Sequence, residues 1–410
     1  MSELIEFRNG RVVTPTGVIE QGHIVVAGDR IVHIGRTPDR SLQRARSIDV
    51  SGRLVIPGLV DLHGDDIEGH LSPRSGAHVD VSTALVAADR QNLLNGITTK
   101  YHAVAFEDSP DESRTREMAT ELAAELATDR RTLGDNRLHA RCELNEASVA
   151  AVESVSERSG IDLLSVMHHE PDSGQFDRSA FERHYVEDRN WPADSIEALA
   201  RRRQSLDSTS RHALLERIAA IAREASVPLA SHDDESPAAV DSMADYGVSI
   251  SEYPLTLETI RHAGALELTT VMGAPNLVRG GSLWDNLSAR EAVDADVVDV
   301  LCADYHPPSL LAAPFVKTGE SLPTRVNRVT RNPADCVGLS DRGRIAVGAR
   351  ADLVVLREGP VPTVERVFVA GSEAIRTGHV ADETPKQPAR TAEQPTQRQP
   401  FIERNGLKNQ

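Results

Sequence analysis

Eight short apolar runs, each suited to a β-strand, follow one another between residues 58 and 305. They are GLVDLHGD, GITTKYHAV, LHARCEL, DLLSVMHH, VPLASHDD, VSISEYPL, LTTVMGAPN and VDVLCADY. Helical patterns separate most of them; stretches 113–131 and 210–225 carry an apolar stripe and a charged face. Such alternation calls for parallel strands joined by helical crossovers, and eight strands of this kind close as an α/β fold of (β/α)8 TIM-barrel type. No sequence repeat of roughly 20 to 50 residues is present, so a solenoid is excluded.

The two chain ends have a different texture. GHIVVAGDRIVHIG holds two strands around Gly28-Asp29, and residues 343–356 and 366–378 again show short strands and glycine turns without a helix. The ends are expected to build one small β-sandwich-like domain from residues 1–56 and 339–380, with the barrel, 57–338, inserted between them. Residues 170 to about 209 form a polar excursion after the fourth strand, of the kind that makes lids and substrate loops. The Pro- and Gln-rich stretch 381–410 is expected to be disordered.

In a (β/α)8 barrel, chemistry gathers at the C-terminal ends of the strands. Here the first strand ends on His63 and Asp65, the third on Glu143, the fourth on His168-His169, and the fifth on His232, Asp233 and Asp234. The sixth carries Glu252 and the eighth ends on Asp304. A single strand-end histidine is commonly just hydrogen-bonded, and a single aspartate commonly caps a helix. Three imidazole positions and three carboxylates at one end of five strands are another matter, because divalent cations select such a set. His63 and Asp65 stand two apart, so an extended chain points them the same way, and Gly64 between them removes bulk. Some six donors exceed the needs of one ion and suit two, about 4 Å apart and sharing a carboxylate. Mixed nitrogen and oxygen donors suit Zn²⁺ or Mn²⁺.

Composition removes other classes. A net charge of −17 and a pI near 5.4 argue against nucleic-acid partners. No apolar run approaches the roughly 20 residues of a membrane span, and the start, MSELIEFRNG, does not read as a secretory signal. Cys142, Cys302 and Cys336 are too scattered for a disulfide framework, which favours a cytoplasmic protein. Lysine occurs only at positions 100, 317, 386 and 408; an acidic, lysine-poor surface suits a high-salt cytoplasm, which melting in molar KCl would test. A homo-oligomer is compatible with this composition.

VIPGLVDLHGD opening a barrel, with GRIAVGARADLVVL in a terminal β-domain, resembles the amidohydrolase superfamily of metal-dependent hydrolases. A narrower likeness runs in order through GLVDLHGDDIEGHLSPR, GITT, LHARCEL, LLSVMHHEP, LASHDDE, EYPLT, VMGAPNLVRGGS and ADYHPPSLL. These stretches resemble the diphosphatases that act on α-D-ribose 1-methylphosphonate 5-triphosphate in phosphonate utilisation, the carbon–phosphorus lyase pathway. The chain departs from the superfamily's usual His-x-His, with Asp65 in the second place. Many members bridge two metals with a carboxylated lysine, but Lys100 and Lys317 are not at the end of the fourth strand, which leaves Glu143 as the bridge.

The resemblance implies that His63 and Asp65 bind metal, that Glu143 bridges, and that one of His168 and His169, with His232, completes a second ion. The family places a carboxylate before the fourth-strand histidine; His168 stands there, so His169 is the expected ligand. Asp304 corresponds to the metal-bound general base. The implied substrate is a small triphosphorylated sugar, cleaved to its 5-phosphate and pyrophosphate. Such a substrate needs cationic contacts. NLVRGGS offers Arg279, Gly280, Gly281 and Ser282, where paired glycines let N–H groups face a phosphate and the guanidinium grips two oxygens. Arg74 is a second candidate, and Arg178, Arg183 and Arg201–Arg203 lie on the excursion. Glu252 and Asp233 are expected to orient ligating histidines, and Asp234 to cap a helix. The rival readings are a hydrolase of C–N bonds (a deacetylase, cyclic amidase or deaminase) and a barrel that has lost its chemistry.

Overall fold

The computed structural model describes residues 4–37, 45–74, 76–109, 114–167, 207–283, 286–359 and 361–377. His168, His169, Arg178, Arg183, Arg201–Arg203 and the tail lie outside the described residues.

The eight expected strands form one parallel sheet, and the chain is a (β/α)8 barrel carrying a second sheet built from both ends. The small sheet takes β1 (Leu4–Thr14), β2 (Gly17–Ala27), β3 (Arg30–Gly35), β4 (Arg46–Asp49) and β5 (Leu54–Pro57) from the N-terminal side. The barrel follows as β6 (Leu59–Gly64), β7 (Ile97–Ala105), β8 (Asp135–Glu143), β9 (Leu163–Met167), β10 (Leu229–His232), β11 (Ile250–Glu252), β12 (Thr269–Gly273) and β13 (Val300–Cys302), each paired with the next. The C-terminal side returns β14 (Leu353–Arg357), β15 (Thr363–Val369) and β16 (Ser372–Arg376) to the small sheet.

Closure of the barrel is made where the candidate ligands lie. Gly64 bridges to Asp304 in parallel sense, and Asp304 N–H donates to His63 O at 2.8 Å. Asp65 N–H returns to Asp304 O at 3.2 Å, and the Asp61 carboxylate takes Ala303 N–H at 2.8 Å. The hydrogen bonds that shut the sheet thus also set His63, Asp65 and Asp304 side by side.

Strand parity explains why the interior is dry below and polar above. Leu163, Ala230, Ile250, Val271 and Val300 share a buried cluster with Val60, Leu62 and Tyr101. Two residues further along, the same strand faces carry Ser165, His232, Glu252, Gly273 and Cys302. On β8, Leu138, Ala140 and Cys142 pack outward against helices, which turns His139, Arg141 and Glu143 inward.

The helices cover the outer face. The two helical patterns of the sequence become α3 (Arg116–Thr128), capped by Thr115 Oγ1 at Met118 N–H, and α5 (Ser208–Ala225), capped by Asp207 at Ser210 N–H. Between them on the chain lies α4 (Glu146–Arg158); earlier come α1 (Asp66–Leu71) and α2 (Val81–Leu94). On α5 the buried positions are Leu214, Leu215, Ile218, Ala219, Ile221 and Ala222, the spacing of one helical face. Each large side chain so buried is worth about 1.5–3 kcal/mol, so an aspartate at Ile218 would lift the helix from the barrel.

β5 pairs antiparallel with β14, which joins the two chain ends, and runs through Gly58 straight into β6. A side chain at Gly58 would put Cβ 2.1 Å from Thr98 Oγ1, so this junction requires glycine. Among the described residues no helix is long and apolar enough to cross a membrane.

Candidate active site

A cavity of about 270 Å³ opens at the C-terminal ends of the strands, and His63, Asp65, His232 and Asp304 line it together. His63 Nδ1 lies 3.1 Å from Glu252 Oε1, and Glu252 is fully buried. A carboxylate only accepts, so Nδ1 carries the proton and Nε2 keeps its lone pair for the cavity. Burial, then the charges of Arg141 and His232, hold His63 well below the usual imidazole range, in the neutral form that can ligate. Asp233 stands beside His232 as an ion-pair contact, Oδ2 to Nδ1 at 2.8 Å. Burial opposes protonation of His232, but Asp233 outweighs it and raises the imidazole's proton affinity.

Asp65 occupies the position before α1 yet makes no capping bond, and its Oδ1 is buried without a hydrogen-bond partner. That removes the structural explanation for this carboxylate. Asp304 sits at φ 55°, in the left-handed region that a non-glycine residue seldom adopts. Its carboxyl is pushed up to about 7, by burial first and then by the charge of Asp65, with Arg141 and His232 pulling the other way. Glu143 is buried at the end of β8, and it is not among the residues that form the cavity wall.

His63, His139 and Glu252 bring their donor atoms within 4.8 Å of one another. The nitrogens of His139 already have partners, Leu62 O and Ser165 Oγ, both at 2.9 Å, and burial drops its imidazole to about 3. This group is best understood as a hydrogen-bonded seat for His63. Set against it, the cavity donors are of the types a divalent cation takes, two imidazoles, two carboxylates and a buried orphan oxygen on Asp65, although among the described residues they are not a group whose donor atoms lie within 4.8 Å of one another.

Beneath Gly64 lies a buried ion cluster. Lys100 Nζ is 2.7 Å from Asp61 Oδ2 and 2.6 Å from Asp66 Oδ1. Burial disfavours the ammonium, but the two carboxylates outweigh it and raise Lys100 above its ordinary value. The amine is thus committed to two carboxylates, and Lys100 is not among the residues of the cavity wall. A Cβ on Gly64 would lie 1.7 Å from Nζ, so glycine here serves the lysine as well as the turn.

Among the described residues, three guanidiniums, from Arg114, Arg141 and Arg279, reach the cavity wall. Arg279 closes the short helix Ala274–Arg279, donating to Gly281 O at 2.7 and 3.2 Å and to Tyr305 Oη at 3.3 Å. The N–H groups of Gly280 and Gly281 both go to Asn276 O, at 3.0 and 3.1 Å; the positive φ of Gly280 ends the helix. Arg279 and Ser282 line the cavity, whereas Gly280 and Gly281 do not. Arg74 is exposed in the bridge to Ala77, away from that wall. Asp234 accepts from Ser231 and Ser251 at 2.6 Å each, and Ser236 is the cap of the next helix, α6 (Pro237–Ala244). Sequence reasoning missed Arg141, Arg114, His139 and Tyr253. The first and third could have been found by carrying the two-residue parity back from Glu143.

No family model matches the chain. It is 33% identical over 319 residues to α-D-ribose 1-methylphosphonate 5-triphosphate diphosphatase of Escherichia coli (strain K12), a match covering 75% of this chain and 84% of that protein. A shorter match, 34% over 94 residues, covers 23% of the chain and 19% of a dihydroorotase of Bacillus cytotoxicus. The A. niger ochratoxinase structure superposes with a TM-score of 0.63 at 15% identity, covering 92% of this chain and 96% of that one. A solved amidohydrolase gives 0.59 at 15% identity, covering 91% and 99%.

A parallel barrel with imidazoles and carboxylates gathered at its C-terminal mouth, together with these matches, defines a hydrolase. The chain belongs to the amidohydrolase superfamily, in the branch that holds the Escherichia coli diphosphatase.

Proposed function

We propose that this chain cleaves a sugar triphosphate between its α- and β-phosphates, with α-D-ribose 1-methylphosphonate 5-triphosphate as substrate and the 5-phosphate and pyrophosphate as products. The observation that carries this reading is the cavity wall. In a chain of net charge −17, it sets three guanidiniums beside the imidazole and carboxylate donors. A polyanion needs that combination, whereas a neutral amide does not. The extended match to the Escherichia coli diphosphatase supports the same substrate.

His63, Asp65, His232 and Asp304 would hold the divalent cation, Zn²⁺ or Mn²⁺; the expected second ion would draw on Glu143 and His169. Such ions, when bound, supply Lewis-acid activation of water and neutralise phosphoryl oxygens. The residues do the rest. Glu252 fixes the ring and tautomer of His63, and Asp233 braces His232. Asp304 receives the proton of the attacking water as the new P–O bond forms and the bond to pyrophosphate breaks. Arg279 and Ser282 face the outer phosphates.

The test is hydrolysis with Mn²⁺ and with Zn²⁺, read as pyrophosphate release from this triphosphate and from nucleoside triphosphates, as acetate release from N-acetyl sugars, and as ring opening of cyclic amides. Pyrophosphate from the ribose triphosphate is the expected result. Opening of a cyclic amide or release of acetate, with no pyrophosphate, would replace the proposal by the C–N reading.

A further inference from the structure

Among the described residues, Arg141 is the one cation of the wall with an uncommitted buried face. The residue is 8% exposed, and its Nε and Nη1 are buried without hydrogen-bond partners. Arg114, by contrast, is paired with Glu68, and Arg279 is bonded to Gly281 and Tyr305. The nearest carboxylate to Arg141 is that of Asp65, at 3.7 Å from Nη1, beyond hydrogen-bond reach. Asp65 itself keeps an orphan buried oxygen. Two opposite charges lie side by side, and neither is satisfied by the other. Burying an ion in that state is costly unless each has a further partner. A cation answers Asp65; an anion must answer Arg141.

Position says which anion. Arg141 points inward from β8, two residues before Glu143, and shares the wall with His63 and Asp304. Arg279 stands on the loop side, against the half-exposed Tyr305. Resting on the triphosphate reading above, we propose that Arg141 grips the phosphoryl group under attack, through Nε and Nη1, and that Arg279 serves the outer phosphates. A planar guanidinium meets two phosphoryl oxygens at once, which a lysine ammonium does not.

The test compares Arg141→Met and Arg141→Lys with the parent protein, all loaded with Mn²⁺ and checked for metal content by elemental analysis. Inorganic phosphate, which mimics the single attacked group, is titrated calorimetrically. Arg141→Met should weaken phosphate binding on the order of a hundredfold with metal content unchanged, and Arg141→Lys should recover only part of it. The loss in turnover should fall mainly on kcat, whereas Arg279→Ala should act mainly on KM. Because an unanswered buried charge is removed, the melting temperature of unliganded Arg141→Met should hold or rise. Phosphate affinity within about twofold of the parent, a parent protein that binds no phosphate, or metal lost together with phosphate would each overturn the assignment. If phosphate binding depends on Arg141 but no triphosphate is turned over, Arg141 stands and the diphosphatase reading falls. If pyrophosphate is released and Arg141→Met changes nothing, the reverse holds.

Discussion

The two ends of the barrel both bury charge, and they treat it in opposite ways. At the floor, Asp135 lies against three guanidiniums: Arg137 at 3.2 Å, Arg350 at 3.5 Å, and Arg342 in close contact. Arg137 continues to Asp162 at 3.1 Å and Arg350 to Asp352 at 3.2 Å. These pairs tie β8 to the segment that leads back into the small sheet, so the floor holds the chain ends to the barrel. At the mouth, the Asp65–Arg141 pair stays at 3.7 Å with polar atoms of both left over. Asp304 is held at a left-handed φ beside another carboxylate. Asp135 at the floor is met by cations at contact distance, whereas Asp65 and Arg141 at the mouth stop short of each other, and charge held apart in that way at a barrel mouth is where a ligand is expected.

The largest effect should come from the mouth and touch activity alone. Asp304→Ala or His63→Asn, which keeps an N–H for Glu252, should lower pyrophosphate release about a thousandfold while the melting temperature of the metal-free protein holds. A large loss of stability in either variant would erase the contrast, because the mouth would then be holding the fold. The second effect is linkage. Divalent cation at about a thousand times its Kd should stabilise the parent by about 4 kcal/mol, read as a rise in melting temperature. Asp65→Asn should lose that response and match or exceed the metal-free parent in stability. Equal responses to metal in parent and variant would remove Asp65 from the site.

The floor should give the converse. Arg342→Met leaves the partly buried Asp135 with two cations in place of three, and the loss should be roughly 1.5–3 kcal/mol in denaturant unfolding. Turnover per folded molecule should stay within about twofold, since Arg342 is remote from the cavity wall. A thousandfold loss of kcat here would show that the two ends are coupled.

Legibility in the sequence follows the same division. Strand parity and strand-end position are local, so eight strands, the barrel, and the gathering of His63, Asp65, His232 and Asp304 on one cavity could all be read from the chain. Arg141 obeys the same parity but escaped because a lone arginine in LHARCEL resembles surface charge. The Lys100 cluster was out of reach. Its partner Asp61 is 39 residues away, and the two stand opposite each other only because the register shifts between Leu59 and Val60. The paired glycines misled for a different reason: their amides end a helix on Asn276, a role that needs the same residues as a phosphate loop.

The smallest effect separates acid sensitivity of the mouth from that of the barrel wall behind it. His102 is buried on β7, its Nε2 2.8 Å from Asn136 Oδ1, while Asn136 Nδ2 donates to Asp89 Oδ1 at 2.8 Å. That chain fixes the amide, so Nε2 of His102 carries the hydrogen and the ring is neutral. Burial first, then Lys100, lowers His102 to about 4. Below the ordinary value near 6.5 the unfolded chain takes a proton that the folded chain refuses until about pH 4. Stability therefore falls as pH drops through that window, by at most about 1.4 kcal/mol per pH unit for this residue. His139 and His63, also held low, add their own slopes. His102→Gln keeps a donor for Asn136 and cannot titrate, so the metal-free variant should lose stability less steeply between pH 6.5 and 4. Identical slopes in variant and parent would assign the whole acid loss to the histidines of the mouth and its seat, and would make the contrast between the two ends sharper still.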